Sequence, residues 1–132
     1  MKFIKKKYNI NTKKLDLESL LRDHDIDLNE PISKDKKTLI HLLILEEDLE
    51  NLELILSLPK DGFKTKCKPD MNIVDDSWGW TPLITAINQG PKGFVPGIHA
   101  LLRAGADPYL EIASDHDENA VYTPAQWAAM KN

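Results

Sequence analysis

Apolar positions in the middle of the chain fall at helical spacing. Ile40, Leu43 and Ile44 form one stripe, and Leu49, Leu52 and Leu56 form a second. They predict a helix opening just after Thr38 and a partner helix running to about residue 56. Similar apolar stretches follow Thr81 and Thr123, and the three threonines stand 43 and 42 residues apart. Self-similarity at a fixed period is the mark of a repeat architecture. The segments that align are KTLIHLLILEEDLENLELIL at 37–56, WTPLITAINQGPKGFVPGIHALLRAGAD at 80–107 and YTPAQWAAMKN at 122–132. A fourth, LESLLRDHDIDLN at 17–29, matches the end of the middle unit.

The residues at the ends of these segments carry the physics of helix boundaries. Thr81 is a natural N-cap, its hydroxyl accepting from an orphan N–H of the first turn. Pro82 follows at the first helical position, where a missing N–H is no loss. Thr123-Pro124 repeats the arrangement. Gly105 stands after Leu101-Leu102-Arg103-Ala104, where a helix end favours a left-handed residue, and Gly79 is placed to supply the turn before the next helix. Ala86, Ala128 and Ala129 are small where neighbouring helices must approach closely.

This pattern resembles the ankyrin repeat, which runs D-x-x-G-x-T-P-L-H-x-A-A, then a second helix with Leu-Leu, then G-A-D. The middle unit places Asp76, Gly79, Thr81, Pro82, Leu83, Ala86, Gly90, Leu101, Leu102, Gly105, Ala106 and Asp107 in those slots. The unit at 38 keeps Thr38, Ile40 and His41 but has Leu39 for the proline. The resemblance implies an all-α ankyrin-repeat solenoid of stacked helix-turn-helix units with extended finger loops. Its parts would be a basic arm at 1–14 and a repeat domain at 15–132. That domain divides into a half-repeat at 15–36, repeats at 37–75 and 76–109, and a partial repeat at 110–132. Against a family period of about 33 residues, the intervals carry roughly ten and nine extra residues. These are assigned to 57–75, to 91–93 and to 109–121. In the family's histidine slot, His41 is expected to tie the turns of adjacent repeats together. Ile84 holds that slot in the middle unit, so one such tie should be missing.

Composition narrows the function. The chain has 132 residues, 42% hydrophobic and 29% charged, which suits one domain. No apolar run reaches the roughly 18–20 residues of a membrane span. A basic opening with no apolar core behind it argues against a secretory signal. The net charge of -4 divides into six lysines among residues 1–14 and a body near -10, by subtracting +6 from -4. The arm lacks the aromatic interleaving and periodic basic face of a nucleic-acid site, so it reads as a solvated tail or a stretch lying along the acidic body rather than as a phosphate- or lipid-binding arm. Cys67 is the single cysteine, which excludes an intramolecular disulfide and a thiolate-rich metal site.

Chemistry-bearing constellations are sparse. Cys67 stands among lysines in KTKCKPD with no histidine near in sequence, and is expected as an exposed loop cysteine. Asp115, Asp117 and Asn119 open a calcium-loop pattern, but Ala120 and Gln126 replace its glycine and bidentate glutamate. Asp23, Asp25 and Asp27 share the spacing without the glycine. Both runs are expected as solvated acidic loops. No catalytic residue, cofactor or metal is expected.

The resemblance implies recognition through finger tips and the inner helix face, at positions the scaffold leaves free. On the fingers these are Asp35, Lys37, Trp78, Trp80, Ala120 and Tyr122. On the first helices they are Leu42, Leu45, Glu46, Thr85, Asn88, Gln89, Trp127 and Met130. Trp78, Trp80, Tyr122, Asn88, Gln89, Leu42, Leu45 and Trp127 are the candidate partner-binding residues. Thr38, His41, Gly79, Thr81, Pro82, Gly105, Thr123 and Pro124 carry the structural motif. Aromatic side chains dominate interface hot spots. The expectation is therefore a monomeric, cytoplasmic, non-catalytic module for a protein partner, with no small-molecule substrate and no nucleic-acid or membrane contact. The resemblance also allows an effector-type protein of an intracellular bacterium or a large DNA virus, delivered into host cytosol. The alternative is the substrate-recognition segment of a larger enzyme or effector.

Overall fold

Most of the described helix starts are fixed by side chains that take over orphan N–H groups. The structure, a computed structural model, describes residues 16–76, 79–110, 112–113 and 121–131. The basic arm, Trp78 and the acidic run at 115–119 lie outside them. Helix α1 spans Leu17–Asp23, its N-cap Asp16 accepting from Glu18 N. Helix α2 spans Leu39–Leu45 after Thr38, and α3 spans Leu49–Leu56 after Asp48, whose carboxylate accepts from Asn51 N at 3.2 Å. Helix α4 spans Pro82–Ile87 with Thr81 as N-cap and proline at its first position. Helix α5 spans Val95–Arg103, and α6 spans Pro124–Lys131. Thr123 and Gln126 form a reciprocal capping box ahead of α6: Thr123 N–H donates to Gln126 Oε1 at 2.8 Å and Gln126 N–H to Thr123 Oγ1 at 3.3 Å.

Helix ends obey the same local logic. At the end of α5, Gly105 takes φ 101°. Its N–H donates to Leu102 O at 3.1 Å, and Ala106 N–H to Leu101 O at 2.9 Å. This is the Schellman closure, with the left-handed residue just past the last turn. The turn after α2 makes the same two bonds, Glu47 N–H to Ile44 O and Asp48 N–H to Leu43 O. There the left-handed residue is Glu47, at φ 54°, which has no glycine signal in the sequence.

The helices pack in two rows. α2, α4 and α6 are successive neighbours in one row; α1, α3 and α5 are successive neighbours in the other. α2 pairs with α3 across the rows, and α4 with α5. All six residues of α4 are buried, which suits a short helix touched on several sides. One continuous core runs through the rows and includes Leu21, Ile44, Ile55, Ile84 and Leu101. Close approach has a visible cost in side-chain size. A Cβ on Gly97 of α5 would lie 2.4 Å from the buried Phe94 ring, so no larger residue fits without moving it. Beyond α5, Ile112–Ala113 pairs antiparallel with Val121–Tyr122, a short ladder leading into α6. Among the described residues the chain is otherwise helices and connecting loops, and no helix is long and apolar enough to cross a membrane.

Residues 57–75, assigned above as an insertion, fold onto the helices. Leu58, Phe63 and Thr65 are buried, and Lys64 N and Thr65 N donate to the carbonyls of Arg22 and Leu21. The Arg22 guanidinium lies 4.3 Å from the Phe63 ring centre, closing the lid over the end of α1. Cys67 departs from the exposed-loop expectation. It is half-buried, and its Sγ accepts from Leu28 N at 3.2 Å and donates to Ile26 O at 3.4 Å.

Glu47 gives a direct test of the α2 turn. A left-handed conformation costs an L-residue roughly 1–2 kcal/mol, partly offset by glycine's larger loss of chain entropy. Glu47→Gly also removes a negative charge from the C-terminal end of α2. The variant is expected to be more stable by about 0.5–1 kcal/mol, read as a higher urea midpoint at unchanged m value.

Candidate functional site: the fingers and the inner helix row

Two fingers stand side by side ahead of α2 and α4. In the first, Ile32 N–H donates to Lys37 O at 2.8 Å and closes residues 32–37. In the second, Asp75 N–H donates to Trp80 O at 3.2 Å, and Asp75 Oδ1 accepts from Gly79 N at 3.0 Å and Trp80 N at 3.3 Å. Gly79 takes φ 71°, the turn conformation that a side chain would strain. The fingers join at Asp76 N–H, which donates to Asp35 O at 2.7 Å. Asp75, and not Asp76, is therefore the carboxylate that organises the turn. It is buried, whereas Asp76 makes a solvent-exposed 3.5 Å ion pair with Lys36.

Lys37 extends between the two fingers. Its ammonium pairs with Asp35 and lies 3.1 Å from Asp75 Oδ2. Only 12% of the Lys37 side chain and 1% of the Asp75 side chain reach solvent. Burial pulls the Lys37 pKa down, but hydrogen bonds to Asp35 and Asp75, with their charges, outweigh it and leave it raised. The ammonium stays charged across the neutral range. Lys37 and Asp35, expected as free finger positions, are instead spent on holding the fingers together.

Below the ion pair sits His41, fully buried on α2. Nε2 lies 3.0 Å from Trp80 O, which can only accept, so Nε2 carries the proton. Nδ1 is then the acceptor, receiving Thr38 N–H at 3.2 Å with Thr38 Oγ1 at 3.0 Å. One ring links the start of α2 to the carbonyl at the base of the next finger. Desolvation lowers the His41 pKa below 6.5; the bond to Trp80 O and the charges of Asp75 and Asp35 oppose it, while Lys37 adds to it. The neutral imidazole is the form the fold selects.

The row of α2, α4 and α6, the inner row, supplies the neighbouring surface. Leu45 is 41% exposed at the end of α2, and Leu42 is half-buried. Gln89 reaches back from the end of α4, its Nε2 donating to Leu45 O at 3.3 Å. Asn88 Nδ2 donates to Ile84 O at 2.9 Å, so part of its hydrogen-bonding capacity is used within its own helix. Thr85, expected as a free slot, is buried and donates to Thr81 O at 3.0 Å. Trp80 packs against the core with its indole nitrogen out of solvent, leaving only part of the ring at the surface. Tyr122 lies on the two-residue ladder opposite Ile112, and Trp127 lies on α6. Their side chains, with Trp78, fall outside the description. The structure thus brings Leu45 and Gln89 into contact, and His41 and Trp80, on adjoining elements.

Asp75 is a turn-organising residue that spacing alone did not mark: the repeat pattern takes Asp76 as its aspartate, and the neighbouring Asp75 makes the buried bonds. Among the described residues no group of three His, Cys, Asp or Glu side chains is placed to hold a metal. No family model matches the chain, and no curated protein matches it significantly.

Two variants test the ties between the fingers. Lys37→Met leaves Asp75 buried without its cation and is expected to cost about 3 kcal/mol of unfolding free energy in urea titrations at neutral pH. The His41 contribution runs with pH as its lowered pKa requires. It is complete above the ordinary value of 6.5 and is lost as pH falls below it, because the unfolded chain binds the proton first. Parent stability should therefore fall between about pH 7 and pH 5 more steeply than that of His41→Asn, which should be less stable than the parent at neutral pH.

Proposed function

We propose that this chain is a non-catalytic, ankyrin-repeat-type module that binds a partner protein through its finger loops and inner helix row. The observation that carries this reading is the union of a fixed frame with an unspent surface. His41 and the Lys37–Asp75 pair lock adjacent fingers, while Leu45 stands 41% exposed beside Gln89 and half-buried Leu42. Rigid presentation lowers the entropy lost on association. An exposed leucine ringed by polar groups suits the desolvated centre of a small interface. Two-row packing with a cap at each first helix supports the repeat reading.

Affinity capture with quantitative mass spectrometry can decide the matter. The parent and a Leu102→Glu variant, altered on α5 in the other row, should retain the same protein in stoichiometric amounts. Leu45→Glu should lose it while keeping the parent's circular dichroism, and Trp78→Ala with Tyr122→Ala should weaken it by about 2 kcal/mol or more. Trp80 is left intact because its ring packs against the core. Equal retention by Leu45→Glu and parent would remove the inner row from the interface.

A further inference from the structure

Residues 64–70 lie along residues 21–29 in an unusual way. Over residues 24–28 the contacts come from side chains rather than from a main-chain ladder. Thr65 Oγ1 donates to His24 O at 2.6 Å and accepts from Ile26 N at 3.1 Å. Two residues on, Cys67 Sγ bridges Ile26 O and Leu28 N. Bridges at i and i+2 onto groups also two residues apart require both segments to be extended. Exposure confirms the period: Lys64, Lys66 and Lys68 are exposed, Thr65 and Pro69 are buried, and Cys67 lies between.

The segment is pinned at both ends. Lys64 N and Thr65 N donate to Arg22 O and Leu21 O. Asn29 Nδ2 donates to Lys68 O at 3.1 Å, and Asp70 N donates to Asn29 Oδ1 at 2.6 Å. Between these anchors, the N–H groups of Lys66, Cys67 and Lys68 and the carbonyls of Thr65, Lys66 and Cys67 make no hydrogen bond to any described residue. Main-chain groups in this condition, on a pinned extended segment, are a template for strand addition. Three lysines at alternate positions accompany them on a body whose charge outside the arm is near -10, by subtracting the arm's +6 from -4. The exposed Asp25 and Asp27 on the adjoining segment confine this attraction to the lysine side.

We propose that residues 64–68 are a docking edge for an extended acidic segment of a partner protein. That segment pairs its main chain with Lys66–Lys68 and sets alternate carboxylates against Lys64, Lys66 and Lys68. Cross-strand opposite charges and the ladder bonds then act together, the charges fixing the register. The edge uses none of the inner-row residues, so it stands or falls independently of the function proposed above.

The experiment is fluorescence anisotropy of a labelled octapeptide of alternating glutamate and valine with the full chain at low salt. Binding should weaken at least about tenfold in a Lys64→Glu, Lys66→Glu, Lys68→Glu variant of unchanged circular dichroism. It should weaken as much for the same peptide N-methylated at alternate residues, which keeps the charge and removes ladder donors. Leu45→Glu, on the other surface, should bind as the parent does. Absence of parent binding would overturn the proposal, as would indifference to N-methylation or to the charge reversals. Tighter binding of an oligothymidylate of equal length would also overturn it, pointing to nucleic acid instead.

Discussion

A buried neutral imidazole holds this fold in register. His41 accepts from the main chain that opens its own helix and donates to the carbonyl at the base of the following finger. Both ring nitrogens are used, with opposite polarity, so the tautomer and the ring orientation are fixed together. Solvent is excluded, which strengthens each bond and makes the loss of either partner costly. The Lys37–Asp75 pair above it would be a poor source of stability in isolation, since desolvation cancels much of the attraction. Its value is geometric. Asp75 also binds Gly79 N–H and Trp80 N–H, so the ion pair sets the turn whose carbonyl His41 needs.

The lengthened connection at 57–75 does a second structural task. It carries Leu58 and Phe63 into the core and donates main-chain hydrogen bonds to the last carbonyls of α1, those of Leu21 and Arg22. Side-chain bridges from Thr65 and Cys67 hold this stretch along residues 24–28. The bridging segment keeps its own main-chain groups unspent, and these border the lysines. Cover and candidate contact are two sides of the same extended stretch.

Local features were readable from the chain because their causes are local. Threonine or aspartate before an apolar stretch, proline at the first helical position and glycine after the last turn act within a few residues. Helix positions and one left-handed turn at Gly105 follow from such short-range rules. Glu47 did not announce itself: its left-handed turn is imposed by the packing of α2 on α3, which overrides a residue preference of about 1 kcal/mol. The role of Asp75 beside Asp76 is hidden in the sequence for a related reason. Adjacent carboxylates look alike in one dimension, and only the position of Lys37 across the gap decides which one is buried.

The sequence by itself determined a helical chain with periodic caps. Both follow from spacing and residue type. Tertiary structure alone decided which side chains are spent within the fold and which stay in solvent. Lys37, Asp35 and Thr85 look free in the sequence and are consumed by the scaffold, Trp80 is half withdrawn, and Leu45 stays in solvent. Exposure is a property of what lies on the other side of a residue, and that neighbour comes from a distant part of the chain.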